Sequence, residues 1–320
     1  MSGHTTLPEW LATDMERVEN VLISTAGAST HPLVAEPSTH LIKAGGKRLR
    51  PALVLLSSQA GTPDAIATDL SAAALELVHL ATLYHDDVID ETEVRRGAPT
   101  AHSKWGIEVA VLAGDYLFAC GCGLGAQAGG EVPGILARAI AEVCEGQIVE
   151  TGALGDPRRS IDDFLATIAG KTGALFRAAC DLGAATSGVS GEERAALVEY
   201  GRQLGLAFQL VDDLLDLVGD PEVTGKSPGT DLREGVFTMA VLLACQRDES
   251  LCERLIAGEH DLDEILPTLR STGALDDALE AAHSHARAAK AAIADLPPGR
   301  WHTAMDDIAD TVIAQIPVLA

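Results

Sequence analysis

DAIATDLSAAALELVHLATLYHDDVID, residues 64–90, repeats its apolar positions at spacings of three and four without a break and ends in a cluster of aspartates. That spacing predicts a helix, and a helix apolar around much of its circumference is one that packs nearly buried inside a bundle. The same pattern predicts helices over Glu9 to Ala26, Arg50 to Ala60, Ile107 to Ala126, Val132 to Ala153, Ile161 to Ala184, Gly191 to Val218, Val236 to Gln246 and Asp276 to Ile293. Pro63, Pro99, Pro157 and Pro221 fall between the runs, and Pro133 stands at the very start of one, where helices end or have only begun. Alternating strand-like segments of useful length are absent. The expectation is an all-α fold, a bundle of long helices with a central, nearly buried member.

At 320 residues, 47% of them apolar, the chain can bury a large core. No Gly/Ser-rich or Pro-rich linker, low-complexity run or fixed repeat divides it, so residues 1–320 are expected to form a single domain. Met1 to Thr6 lack the basic-then-apolar layout of a secretory signal, and no uncharged apolar stretch reaches about 18 residues, which leads to a soluble, cytoplasmic protein without a transmembrane segment. Cys120, Cys122, Cys144, Cys180, Cys245 and Cys252 show no paired metal-binding spacing and read mostly as reduced core residues. A formal charge of -24 excludes nucleic acid as a partner and disfavours anionic membrane surfaces. An anionic substrate would need local cations.

Asp86, Asp87 and Asp90 close the first helix, and Asp212, Asp213 and Asp216 repeat the same D-D-x-x-D spacing late in another. Residues four apart share a helix face. A lone motif of this kind reads as a solvated acidic face, but Leu83, Tyr84, Val88 and Ile89 enclose the first, and Leu210, Val211, Leu214 and Leu215 the second. Like charges in an apolar setting are costly unless cations neutralise them. Carboxylate oxygens without Cys or His fit a hard ion such as Mg2+, which also takes phosphate oxygens. Basic residues gather at Gly46-Lys47-Arg48-Leu49-Arg50-Pro51, Arg95-Arg96-Gly97, Lys171-Thr172 and Lys226, an informative placement among only 23 Lys and Arg. Neither Gly170-Lys171-Thr172 nor Gly219 to Ser227 has the glycine spacing or the preceding strand of a P-loop.

These residues resemble one family closely, the trans-isoprenyl diphosphate synthases or polyprenyl synthetases. The resemblance runs from about Gly45 to about Thr238 and rests on five motifs in order: Gly46-Lys47-x-x-Arg50; Leu77-Val78-His79 through Asp90 to Arg95-Arg96-Gly97-x-Pro99-Thr100; Gly170-Lys171-Thr172; Gln209 with the second aspartate cluster; and Gly225-Lys226 with Asp231. It implies helices around a central cavity and a homodimer. It implies that Asp86, Asp87, Asp90 and Asp212, with Asp213 and Asp216, hold about three Mg2+ ions on an allylic diphosphate. Arg95, Lys171, Thr172, Gln209 and Lys226 would be that diphosphate's other partners, and Lys47, Arg50, His79 and Arg96 would form an isopentenyl diphosphate pocket.

The implied reaction ionises the allylic diphosphate, adds the isopentenyl double bond to the cation and loses a proton, with water excluded. Product length should depend on room below the first motif, where Ala81 and Thr82 lie one turn before Asp86 and Val78 another turn down. Small residues there favour a long product of quinone side-chain length over farnesyl or geranylgeranyl products, and transient membrane association would follow from such a product. Leu217, Ala240 and a tail, Gln315 to Ala320, without basic residues depart from the family pattern but remove no metal ligand. A class I terpene cyclase would replace the second motif, a non-catalytic regulatory subunit would lack one or both, and an inert acidic scaffold would not order its basic residues.

Overall fold

The computed structural model describes residues 7–220 and 228–316. After a 3-10 turn at Glu9–Leu11 come α1 (Ala12–Ala26), α2 (Pro32–Ser38), α3 (His40–Lys43), α4 (Leu49–Ser58) and α5 (Ala65–Ile89). A short hairpin, β1 (Val94–Arg95) and β2 (Ala98–Pro99), leads to α6 (Ala101–Trp105), α7 (Ile107–Ala128), α8 (Val132–Gly152) and α9 (Ile161–Ile168). A π-helical segment, Ala169–Gly173, runs into α10 (Ala174–Ala185). Then follow α11 (Gly191–Val218), α12 (Thr230–Glu234), α13 (Met239–Arg247), α14 (Glu249–Ile256), α15 (Leu262–Ser271), α16 (Ala274–Ile293) and α17 (Arg300–Ile313). The all-α expectation holds, the hairpin being the one sheet among the described residues.

Local chemistry sets the bounds of the two helices that carry aspartates. The Asp64 carboxylate accepts from the Ile66 and Ala67 N–H groups at 3.1 Å each, satisfying donors that the first turn of α5 leaves open. At the head of α11, Ser190 and Glu193 form a reciprocal capping box, so this helix has the expected ends. Two expectations need correction. The run Ile161 to Ala184 is broken by the π segment, and the helix expected from Val236 begins only at Met239.

Residues Ser71 to Val78 of α5 are wholly buried, which makes α5 the central helix. Its small residues let α7 lie close along it: a Cβ on Gly121 would stand 2.9 Å from the Ala74 carbonyl oxygen. α10 packs between α4 and α11, and α16 lies along α11. One contiguous apolar core joins them.

α5 and α7 both have the length and hydropathy needed to cross a membrane. In α5, 61% of the most apolar window is buried and serves the core, against 39% in α7, whose other side exposes Val111 and Leu112. Every cysteine is a free thiol; Cys180, Cys245 and Cys252 are core residues, whereas Cys122 and Cys144 are exposed.

Candidate active site

The end of α5 and the last turns of α11 carry carboxylates that both feel the charge of Glu150, at the end of α8 beside the π segment. A π turn adds a residue to the helical ladder and re-aims the side chains within it. Here it is pressed onto α8, where a Cβ on Gly146 would collide with the Lys171 backbone nitrogen. That contact brings the Lys171 ammonium onto the Glu150 carboxylate. Burial pulls the Lys171 pKa down, but Glu150, Asp86 and Asp90 outweigh it, so the ammonium is held charged.

Burial pushes the Asp86 carboxyl up to about 6; Lys171 draws it down, while Asp90 and Glu150 add to the rise. Asp90 is raised by burial too, with Lys171 opposing. Glu150 also acts on Asp213, and Glu234 on both Asp90 and Asp216, so the two motifs feel the same charges. Glu150, which sequence reasoning missed, is central to this cluster. Its only sequence signal is a carboxylate following the apolar pair Ile148-Val149 on α8.

The six aspartates are not equivalent. Asp87, 1% exposed, is paired with the Arg95 guanidinium. Asp213 accepts from Gln209 Nε2 at 2.7 Å, and Gln209 Oε1 accepts from the Thr172 hydroxyl at 2.6 Å, a relay from the π segment to α11. The other Asp213 oxygen, buried, has no hydrogen-bond partner among the described residues, and burial raises this carboxyl well above the ordinary range. Asp216 accepts from the Thr230 and Asp231 N–H groups at 3.1 and 3.2 Å and so caps α12. Asp212 and Asp90, the residue that caps α5, are exposed, and Asp86 keeps partial exposure in the last turn of α5. Lys226 lies outside the described residues.

The hairpin separates two consecutive arginines. Arg96 and Gly97 both have positive φ, at 54° and 74°, as a two-residue type I′ turn requires. Arg95 therefore turns to Asp87, while Arg96 donates to the carbonyls of Leu41, at 3.2 Å, and Gly45. Arg50 lies deep beside it, its Nη1 3.1 Å from His79 Nε2 and its guanidinium 4.7 Å above the Phe176 ring. Burial lowers Arg50 to about 10 and His79 well below its usual range, so the imidazole is neutral and accepts from the arginine. The buried Nε of Arg50 has no partner among the described residues, leaving a cationic donor unspent. Lys47 Nζ donates to Gln315 Oε1 at 2.7 Å, so the end of the C-terminal segment covers this loop.

Among the expected chain-length residues, Thr82 keeps exposure on the face that carries His79 and Asp86, whereas Ala81 and Val78 are fully buried. Val78 packs toward Gly121 of α7. Tyr84 is turned away, its hydroxyl donating to the Pro37 carbonyl and accepting from Leu41 N–H.

Among the described residues no three His, Cys, Asp or Glu side chains close on a single metal point. The donors nonetheless suit Mg2+: they are oxygens only, raised in pKa by burial, and one buried oxygen each on Asp87 and Asp213 has no hydrogen-bond partner among the described residues. An ion held partly by substrate phosphate and water needs no closed protein cage.

The polyprenyl synthetase family pattern matches residues 31–268. A nonaprenyl diphosphate synthase of Mycobacterium tuberculosis is 40% identical over 89% of this chain and 88% of its own. A short chain isoprenyl diphosphate synthase of Methanothermobacter thermautotrophicus is 39% identical over 86% and 88%. A polyprenyl synthase of Caulobacter crescentus, solved with calcium and isoprenyl diphosphate, superposes with a TM-score of 0.90 at 36% identity, covering 95% of each chain. The chain belongs to the polyprenyl synthetase family and is, with it, a trans-prenyltransferase.

Proposed function

We propose that this protein condenses isopentenyl diphosphate head-to-tail with an allylic diphosphate and repeats the step to quinone side-chain length. The observation that carries the reading is the shared field of two aspartate clusters, Glu150 and Lys171, beside a separate pocket where Arg50 keeps one unspent donor among the described residues. Asp86, Asp90 and Asp212 would hold Mg2+, being the motif carboxylates with solvent exposure, whereas Asp87, Asp213 and Asp216 are buried. Mg2+ supplies Lewis-acid charge to the departing diphosphate. Lys171 adds a fixed positive charge at the same pole, and Asp87 holds Arg95 in reach of it. Arg50, Arg96 and Lys47 bind the isopentenyl diphosphate; neutral His79 orients Arg50 without adding charge.

The allylic C–O bond breaks, the isopentenyl double bond forms the new C–C bond, and the released diphosphate takes the proton. The buried α5 wall below Asp86 excludes water from the cation. Thr82 is the residue of this wall that a growing tail would meet first, and the nonaprenyl synthase at 40% identity supports a long product. The short-chain relative at 39% makes a shorter product the second reading. The exposed Val111 and Leu112 of α7, with Ile148 and Val149 of α8, support a homodimer.

The test is a mass profile of products from isopentenyl diphosphate with geranyl, farnesyl or geranylgeranyl diphosphate, with and without Mg2+. Chains well beyond four isoprene units, formed only with Mg2+, are expected, and Thr82→Phe should shorten them. A stop at three or four units would overturn the length, and no condensation with any primer would overturn the reaction.

A further inference from the structure

Arg48 sits between the two residues expected to bind isopentenyl diphosphate, yet nothing in its own surroundings suits it to touch a ligand. Its side chain is 10% exposed. Nε and Nη2 donate to the two Glu19 oxygens at 2.9 and 3.0 Å, and Nη2 also to the Ile42 carbonyl at 3.1 Å. Nη1 donates to Glu76 at 3.1 Å and to the Gly45 carbonyl at 3.4 Å. A guanidinium has five N–H donors, and these five bonds use all of them. Arg48 also holds a left-handed backbone, φ 48° and ψ 35°, immediately before α4. A bulky residue keeps that conformation only where its surroundings fix it.

The bonds join distant parts of the fold. Glu19 is on α1, Glu76 is on α5 one turn before His79, Ile42 follows Leu41, and the Gly45 carbonyl accepts from both Arg48 and Arg96. Glu76 is 2% exposed, and its charge also acts on Arg50 and Arg96. The loop carrying Lys47 and the start of α4 carrying Arg50 are thereby fastened to the helix carrying His79, across the 3.1 Å Arg50 to His79 contact.

We infer that Arg48, clamped between Glu19 and Glu76, is the positioning residue of the isopentenyl diphosphate pocket: it binds no substrate and sets the register of Lys47, Arg50 and Arg96 against His79. The inference rests on the reaction proposed above. The predicted signature is selective, because the allylic site draws on α11, the π segment and the end of α5, none of which Arg48 touches.

The experiment is steady-state kinetics of the full chain with each substrate varied in turn, for wild type, Arg48→Lys, Glu19→Gln and the double variant. Lysine keeps the charge but cannot span these partners. Arg48→Lys should raise KM for isopentenyl diphosphate about tenfold and Glu19→Gln about threefold, with the allylic KM and kcat within about twofold. The double variant should resemble Arg48→Lys alone, since both changes loosen one clamp. Should Arg48→Lys fail to fold, Glu19→Gln, at a half-exposed partner, carries the same selective expectation. An unchanged isopentenyl KM in the folded variants, or a parallel loss in all constants, overturns the inference while leaving the reaction standing. Wild type without any condensation overturns the reaction itself.

Discussion

The two D-D-x-x-D motifs are the same in sequence and different in use. On α5, the middle aspartate is taken by Arg95, and Asp86 and Asp90 remain at the charged pole around Lys171. On α11, Asp213 is tied to Gln209 and Asp216 caps α12, while Asp212 is exposed. Spacing fixes which face a carboxylate leaves from; the partner that reaches it from elsewhere in the fold decides what it does.

The largest effect should come from the outward carboxylates. Asp86→Asn, Asp90→Asn and Asp212→Asn should each lower kcat/KM by about 10²–10³-fold, the usual cost of one preorganised electrostatic contact. Asp213→Asn, which replaces a carboxyl already held toward its neutral form, should stay within about tenfold. Equal losses at Asp212 and Asp213 would break the comparison.

Asp87 should reveal itself in stability. Asp87→Asn leaves Arg95 against a neutral amide in a buried setting, and thermal or denaturant unfolding should show a loss of about 2–3 kcal/mol. No loss would mean that the Asp87–Arg95 pair does not hold the hairpin.

The raised Asp86 pKa gives a pH signature. Its folded value, about 6, lies above the ordinary value of 3.8, so the folded state binds the extra proton between them. In metal-free protein this group's contribution to stability therefore falls as pH rises from about 4 to about 6, and the difference between wild type and Asp86→Asn isolates it. Mg2+ must displace the same proton, so apparent Mg2+ affinity should fall about tenfold per pH unit below 6. A flat Mg2+ affinity from pH 5 to pH 7 would contradict the burial of Asp86.

Smallest is the cap. Asp216→Ala should cost about 1 kcal/mol, seen as faster hydrogen exchange at the Thr230 and Asp231 amides. Unchanged exchange there would place Asp216 with the metal-facing group instead.

Much of this was legible in the chain. The cap at Asp64 and the box at Ser190 and Glu193 mark helix ends locally, and apolar periodicity does the rest. α17 was not among the predicted helices, although Trp301, Met305, Ile308 and Val312 recur at helical spacing. The π segment was not legible, because its extra residue leaves no trace in composition. Nor were the partners of the site: Arg48 meets Glu76 across 28 residues, and Lys171 meets Glu150 across 21. Motifs supply the reacting groups, while long-range pairs sort them into those that face the substrate and those that hold the frame.

The central claim is that Asp86, Asp90 and Asp212 share metal with an allylic diphosphate. Calorimetric titration of Mg2+ into the full chain, with and without an unreactive allylic thiodiphosphate, tests it most directly. Tight Mg2+ binding only with the analogue, lost in Asp212→Asn and kept in Asp213→Asn, is the predicted result. Equally tight binding without the analogue, or in Asp212→Asn, would contradict it.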